Sequence, residues 1–186
     1  IIVREMTDAL VLDLVEKKLV TDQLVLDVGY DIENLADPER RKKYRGEVKA
    51  DRYGRVVPKH AHGTANLKKK TSSTSQIMEA VLELYDRIVD ENLLIRRVYV
   101  TANHALDEQS ISEETEFTQM DLFTDYQAVA EEQEAEQEKR EKERRLQEAM
   151  LSVKKKYGKN AMLKGTNLQE GATMQERNNQ IGGHHA

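Results

Sequence analysis

Cysteine and tryptophan are absent from the 186 residues, and there are only two prolines and two phenylalanines. Without cysteine there can be no disulfide, no thiolate zinc site and no cysteine nucleophile. That usage suits a reducing compartment, so a cytoplasmic protein is expected. No apolar run approaches the roughly 18 residues of a transmembrane helix, and no basic stretch followed by an apolar core marks a secretory signal. A membrane partner is therefore not expected. Both phenylalanines, Phe117 and Phe123, lie in one polar stretch, so any core must be built from Val, Leu, Ile and Met. The chain opens on Ile1 with a helical pattern beginning at once, which reads as a piece of a longer chain cut inside or beside a domain.

Hydrophobic periodicity organises residues 1–105. Over residues 1–20, Val3, Met6, Leu10 and Leu14 recur at helical spacing, and Val11 and Val15 widen the stripe. Residues 23–31 alternate instead. Leu24, Leu26, Val28 and Tyr30 share one face, with Gln23, Val25 and Asp27 on the other, the pattern of a half-buried strand. A polar loop is expected over residues 32–47 around Asp37-Pro38. A hairpin follows over Glu47–Asp51 and from Arg55 onward, turning near Tyr53-Gly54. Pro58 suggests an edge or irregular strand. A second helix is expected over residues 73–90, with Ser73 and Gln76 as a capping box and Ile77, Val81, Leu84, Tyr85 and Ile88 as its buried stripe. A last strand alternates over 94–102, with Leu94, Val98 and Val100 inward and Arg97, Tyr99 and Thr101 outward. The expected fold class is α+β: a small antiparallel sheet with two helices on one face and a polar face left open to a partner.

Four segments are expected: a domain over residues 1–106, an acidic linker over 107–130, a charged helix over 131–157 and an irregular tail over 158–186. Residues 107–138 carry 12 acids and no Lys or Arg, a net charge of −12. The helix is laced by Glu136/Arg140, Glu138/Lys142 and Glu141/Arg145 at i,i+4, and only its end carries an apolar stripe, Leu146, Met150, Val153 and Tyr157.

Charge is segregated along the chain. Residues 41–70 hold eleven bases and two acids, +9 within a chain of net −5. A clustered basic stretch is the electrostatic footprint of phosphate binding, because Lys and Arg displace the counterions of a nucleic-acid backbone. The hydroxyls of Thr71 and Ser72 suit phosphate oxygens. His60 and His62 share a strand face but have no evident third ligand, so no metal site is assigned to them. Lys164-Gly165-Thr166 lacks the leading spacing of a phosphate-binding loop. No catalytic residue is assigned.

Within the acidic stretch, residues 119–123 read Gln-Met-Asp-Leu-Phe. Leu122 and Phe123 have no local core to join, so they suit an apolar groove on another protein, with the Gln119 amide anchoring one end. The segment resembles the bacterial sliding-clamp-binding pentapeptide. The resemblance assigns clamp contacts to Gln119, Met120, Asp121, Leu122 and Phe123, with Met120 standing where Leu is common.

The run VPKHAHGTANLKKKTSSTSQIMEAVLELYDRIVDENLLIRRVYVTANHALDE (residues 57–108) resembles the C-terminal little-finger domain of Y-family translesion DNA polymerases, above all the UmuC-like (ImpB/MucB/SamB) DNA repair proteins of Gram-positive bacteria. GKNAMLKGTNLQEGATMQERNNQIGGH (158–184) is similar to the tail of that group. The resemblance implies a sheet set across the major groove of primer–template duplex, touching backbone phosphates without sequence preference, and a clamp motif in the tail. Arg96 and Arg97 match the paired basic residues of the family's last strand. Charge pattern and resemblance together give an expected DNA-contacting set of Arg52, Arg55, Lys59, His60, His62, Thr64, Lys68, Lys69, Lys70, Thr71, Ser72, Arg96, Arg97 and Tyr99. The strand that opens the family's domain has no counterpart here, nor do the palm, fingers and thumb. The parent polymerase would use Mg in its palm, so this part would bind without catalysing and needs no cofactor of its own. The alternative expectation is a free-standing, non-enzymatic DNA- and clamp-binding module. A third is an α+β domain that self-associates through Leu146, Met150 and Val153.

Overall fold

The computed structural model describes residues 1–111, 126–181 and 184–185. In chain order the elements are α1 (Ile2–Glu16), β1 (Leu19–Tyr30), α2 (Glu33–Ala36), α3 (Pro38–Lys43), β2 (Val48–Ala50), β3 (Val56–Pro58), β4 (Ala61–Thr71), α4 (Thr74–Ile88), β5 (Ile95–Asn103), β6 (Leu106–Asp107), α5 (Tyr126–Tyr157), α6 (Met174–Asn178), β7 (Gln180–Ile181) and β8 (His184–His185). The fold is α+β, as expected. β1 lies between β4 and β5, antiparallel to both, and the short β6 extends the pairing at the start of β1. β2 and β3 form a separate two-stranded ribbon, in which Pro58 pairs with Val48.

α1 and α4 cover one face of the sheet. Two adjoining aliphatic clusters fill the space between. Val3, Val11, Leu14, Val15, Leu24, Ile77 and Val81 form one. Leu26, Val28, Tyr30, Ala61 and Leu84 form the other. Alternation along β1 sends Leu24, Leu26 and Val28 to this face, where each is fully buried. Gly63 lets α4 approach closely: a Cβ there would stand 2.8 Å from Leu84 Cδ1 and 3.1 Å from Ile88 Cγ2.

Several local expectations change. β1 begins at Leu19, not Gln23, because Lys18 takes a left-handed turn (φ 55°) straight out of α1 and β6 pairs with Leu19 and Val20. The expected loop over residues 32–47 holds two short helices. Asp37 caps the second by accepting from the Glu39 and Arg40 amides, with Pro38 at its first position. Leu94 precedes β5 and is exposed, because its backbone is spent on the Asn34 side chain.

α5 starts at residue 126, not 131, and its docked face is polar. Glu143 accepts from the Ser75 amide and the Ser73 hydroxyl at the start of α4. Gln147, 4% exposed, donates to the Ser72 carbonyl and to Thr74 Oγ1. Leu151 packs against the core, whereas Leu146 and Tyr157 of the expected stripe face solvent.

Residues 159–178 include a 3₁₀ turn (Gly165–Leu168) and α6, and they are tied to the outer side of α1. Glu5, 1% exposed, accepts from Asn167 Nδ2 (3.1 Å), the Thr173 amide (2.9 Å), Thr173 Oγ1 (3.2 Å) and an Arg177 guanidinium nitrogen (3.1 Å). Lys164 pairs with Asp8 at 2.6 Å. This contact explains why α1 buries Glu5 besides its apolar stripe, whereas Thr7 lies within the stripe, one turn from Val3 and Val11, and satisfies its hydroxyl on the Val3 carbonyl.

Candidate nucleic-acid interface

The face of the sheet away from the helices is polar. Antiparallel register places opposed residues on one face, and three cross-strand rows follow from it. The first is Asn66–Gln23–Asn103, the second Thr64–Val25–Thr101 and the third His62–Asp27–Tyr99. The first row is an amide ladder, with Gln23 Nε2 donating to Asn66 Oδ1 (2.9 Å) and Asn103 Nδ2 donating to Gln23 Oε1 (3.0 Å). In the third row, Asp27 stands 3.5 Å from His60 Nδ1 and 3.4 Å from His62 Nδ1. Beyond it Gly29 pairs with Arg97. A Cβ on Gly29 would meet Arg97 Cγ and Nε at 2.9 Å, so the glycine makes room for the arginine to lie flat over the strand. Thr64, Asn66, Thr101, Tyr99 and Arg97 are all exposed.

The ribbon β2–β3 adjoins this face, and a basic cleft of about 490 Å³ opens between them, lined by Lys49, Asp51, Arg52, Lys59, His60, His62 and Arg97. Its acids are accounted for. Asp51 is bound by Arg55, whose guanidinium holds the carboxyl below its ordinary pKa. Glu47 nearby is bound by Lys59 at 2.6 Å and is likewise held low. Lys49, Arg52 and Arg97 carry no ion pair with any described residue, so they are left to meet an external anion.

The remaining expected residues are distributed unequally. Lys68, Lys69 and Lys70 line a second cleft, of about 570 Å³, with Gln76, Glu79 and Arg140. Lys70 turns to Asp22 (3.4 Å), which His104 also contacts at 3.0 Å. The hydrogen bond from His104 and the Lys70 charge hold the Asp22 carboxyl below its ordinary pKa. Arg96 sits at a bulge in β5, since Gly29 pairs with Arg97 and Tyr30 with Ile95, and it reaches Asp31 at 3.5 Å. Thr71 Oγ1 accepts from the Ser73 amide. Ser72 is buried under α5, where Arg144 donates to its hydroxyl. Thr71 and Ser72 therefore stand apart from the open face. The motif over 119–123, with Gln119, Met120, Asp121, Leu122 and Phe123, lies outside the described residues.

Sequence reasoning missed Lys49 as a site residue, because it was only one base in a run; the signal was its place in the hairpin. The Gln23 ladder needed the strand pairing, because its three members are far apart in sequence.

A surface of this kind can hold phosphates by charge and sugars or bases by hydroxyl and amide hydrogen bonds. Among the described residues no group of three or more His, Asp or Glu side chains could hold a metal ion. Among the described residues, no helix is long and apolar enough to cross a membrane. Compared with known proteins, the chain matches no family model, no curated protein and no solved structure.

Proposed function

We propose that this chain is the DNA-gripping C-terminal part of a Y-family translesion polymerase. It binds primer–template duplex through backbone phosphates, and it acts in the cytoplasm, where the chromosome of a bacterium lies. The observation that supports this reading most is the open face of a three-stranded sheet, polar in every cross-strand row apart from Val25, running into a cleft of unpaired cations, Lys49, Arg52 and Arg97. Phosphate contacts position a protein on a duplex without reading sequence, and a face of Thr, Asn and Gln side chains suits a DNA grip that must tolerate any sequence. Catalysis would reside elsewhere in the parent enzyme.

The second half of the proposal is tethering. The Gln119–Phe123 pentapeptide would dock on the bacterial sliding clamp, with Leu122 and Phe123 filling its apolar pocket. A tether raises the local concentration of a weak DNA grip at the primer end.

Duplex binding by the chain and by Arg97→Glu tests the grip. The variant is expected to bind at least tenfold more weakly at about 0.1 M salt, because it removes a cation and adds a repelling charge. Equal affinity would overturn the assignment of this face.

A further inference from the structure

The tip of the β2–β3 ribbon is built to a degree that an ordinary surface turn does not need. Asp51 Oδ1 accepts from the Tyr53 amide (2.8 Å) and the Arg55 amide (2.9 Å), while its Oδ2 takes the Arg55 guanidinium at 2.7 Å. Gly54 closes the turn at φ 76°, donating to the Asp51 carbonyl. The Asp51 side chain is only 11% exposed although it sits at a hairpin tip. The product is a fixed platform. Arg55 lies 5.2 Å from the centroid of the Tyr53 ring, and Tyr53 is nevertheless 79% exposed, the most exposed large hydrophobic side chain among the described residues. Behind the ring lies a cleft of about 180 Å³ whose walls include Arg52, His60, Arg96 and Arg97.

An exposed aromatic ring carried on a hydrogen-bonded turn, backed by a cation and set beside a cluster of arginines, matches the demands of one ligand chemistry. Unpaired bases stack on aromatic faces whatever their sequence, and adjacent cations take the flanking phosphates. Paired bases have no face to offer, since they are stacked on each other. We infer that Tyr53 stacks an unpaired base of single-stranded DNA while Arg52 and Arg97 hold its phosphates. This rests on the duplex reading above and extends it: the chain would hold the junction where paired template gives way to unpaired template.

Three probes separate the possibilities: a blunt duplex, the same duplex with a short 5′ thymine overhang carrying 2-aminopurine, and the thymine strand alone. The wild-type chain is expected to prefer the overhang substrate and to quench the 2-aminopurine. Tyr53→Ala should erase that preference, a loss of roughly 5- to 150-fold on the overhang substrate, and should leave blunt-duplex affinity unchanged. Tyr53→Trp should restore both affinity and quenching. Blunt-duplex binding with no gain from the overhang, or equal losses on both substrates, would overturn the inference and leave the duplex reading standing. Tyr53-dependent binding of the single strand without any duplex binding would support the inference and overturn the duplex reading.

Discussion

Replacing Glu5 should release the tail while leaving the domain folded. The Glu5 carboxylate is 1% exposed and accepts four hydrogen bonds, all from residues 167–177. A hydrogen bond to a charged group contributes about 1.5–3 kcal/mol, and the four share one carboxylate, so their sum is not available separately. Glu5→Ala therefore costs the tail contact about 3 kcal/mol. The domain need not lose that much, because the tail can detach locally and return its donors to water. The core of α1, α4 and the sheet does not depend on it. Glu5→Gln should be nearly as damaging, since its amide would point a donor at other donors. Titration gives the same contact a pH dependence. Burial pushes the Glu5 carboxyl up, but hydrogen bonds from the Thr173 amide, Asn167 and the Thr173 hydroxyl outweigh it and hold the pKa below its ordinary value. A carboxylate with a depressed folded pKa stabilises above its unfolded value of about 4.3 and loses that contribution as pH falls through the folded one. Hydrogen exchange read by mass spectrometry tests both points. Amides 165–178 should lose protection in both variants, and in the wild type only below about pH 4. Unchanged protection of that segment in Glu5→Ala would refute the anchoring role of Glu5.

Gly63→Val should destabilise the domain by about 1–3 kcal/mol through overpacking against Leu84 and Ile88, visible as a lower denaturation midpoint; an unchanged midpoint would mean α4 can back away from β4 freely. Gln147→Leu leaves the buried Ser72 carbonyl without its donor and should cost about 1–3 kcal/mol, with protease access rising across α5 if the helix is docked as described. Leu122→Ala together with Phe123→Ala should abolish capture of the bacterial sliding clamp with the circular dichroism spectrum unchanged; retained capture would remove the motif from the account.

Much of the fold was legible because the strands obey a strict period of two. Leu24, Leu26, Val28, Val98 and Val100 declared the covered face, and Gln23, Asp27, Arg97, Tyr99 and Thr101 the open one. Register was not legible, so neither the Asn66–Gln23–Asn103 ladder nor the seating of Arg97 on Gly29 could be read. α5 misled because its charged residues read as solvated, whereas Glu143, Arg144 and Gln147 dock it through hydrogen bonds to the start of α4 and the loop before it, with Leu151 packing on the core beside them. Glu5 was hidden for a related reason. An acid beside an apolar stripe reads as solvated, and only its distant partners Asn167, Thr173 and Arg177 explain its burial. The basic run announced a phosphate surface, but sequence could not say which cations Asp51, Glu47 and Asp22 would consume.

The central claim is that the open face and its cleft grip DNA through phosphates, and the salt dependence of duplex binding tests it most directly. Four cations, Lys49, Arg52, Lys68 and Arg97, border this surface without an ion pair to any described residue. At about 0.9 counterions released per phosphate contact, log Kobs should fall with log [salt] with a slope of about −3.6. Changing Lys49, Arg52 and Arg97 together to Gln should flatten that slope by about 2.7, equally on unrelated duplex sequences. A wild-type slope near zero, or a triple variant with the wild-type slope, would contradict the account.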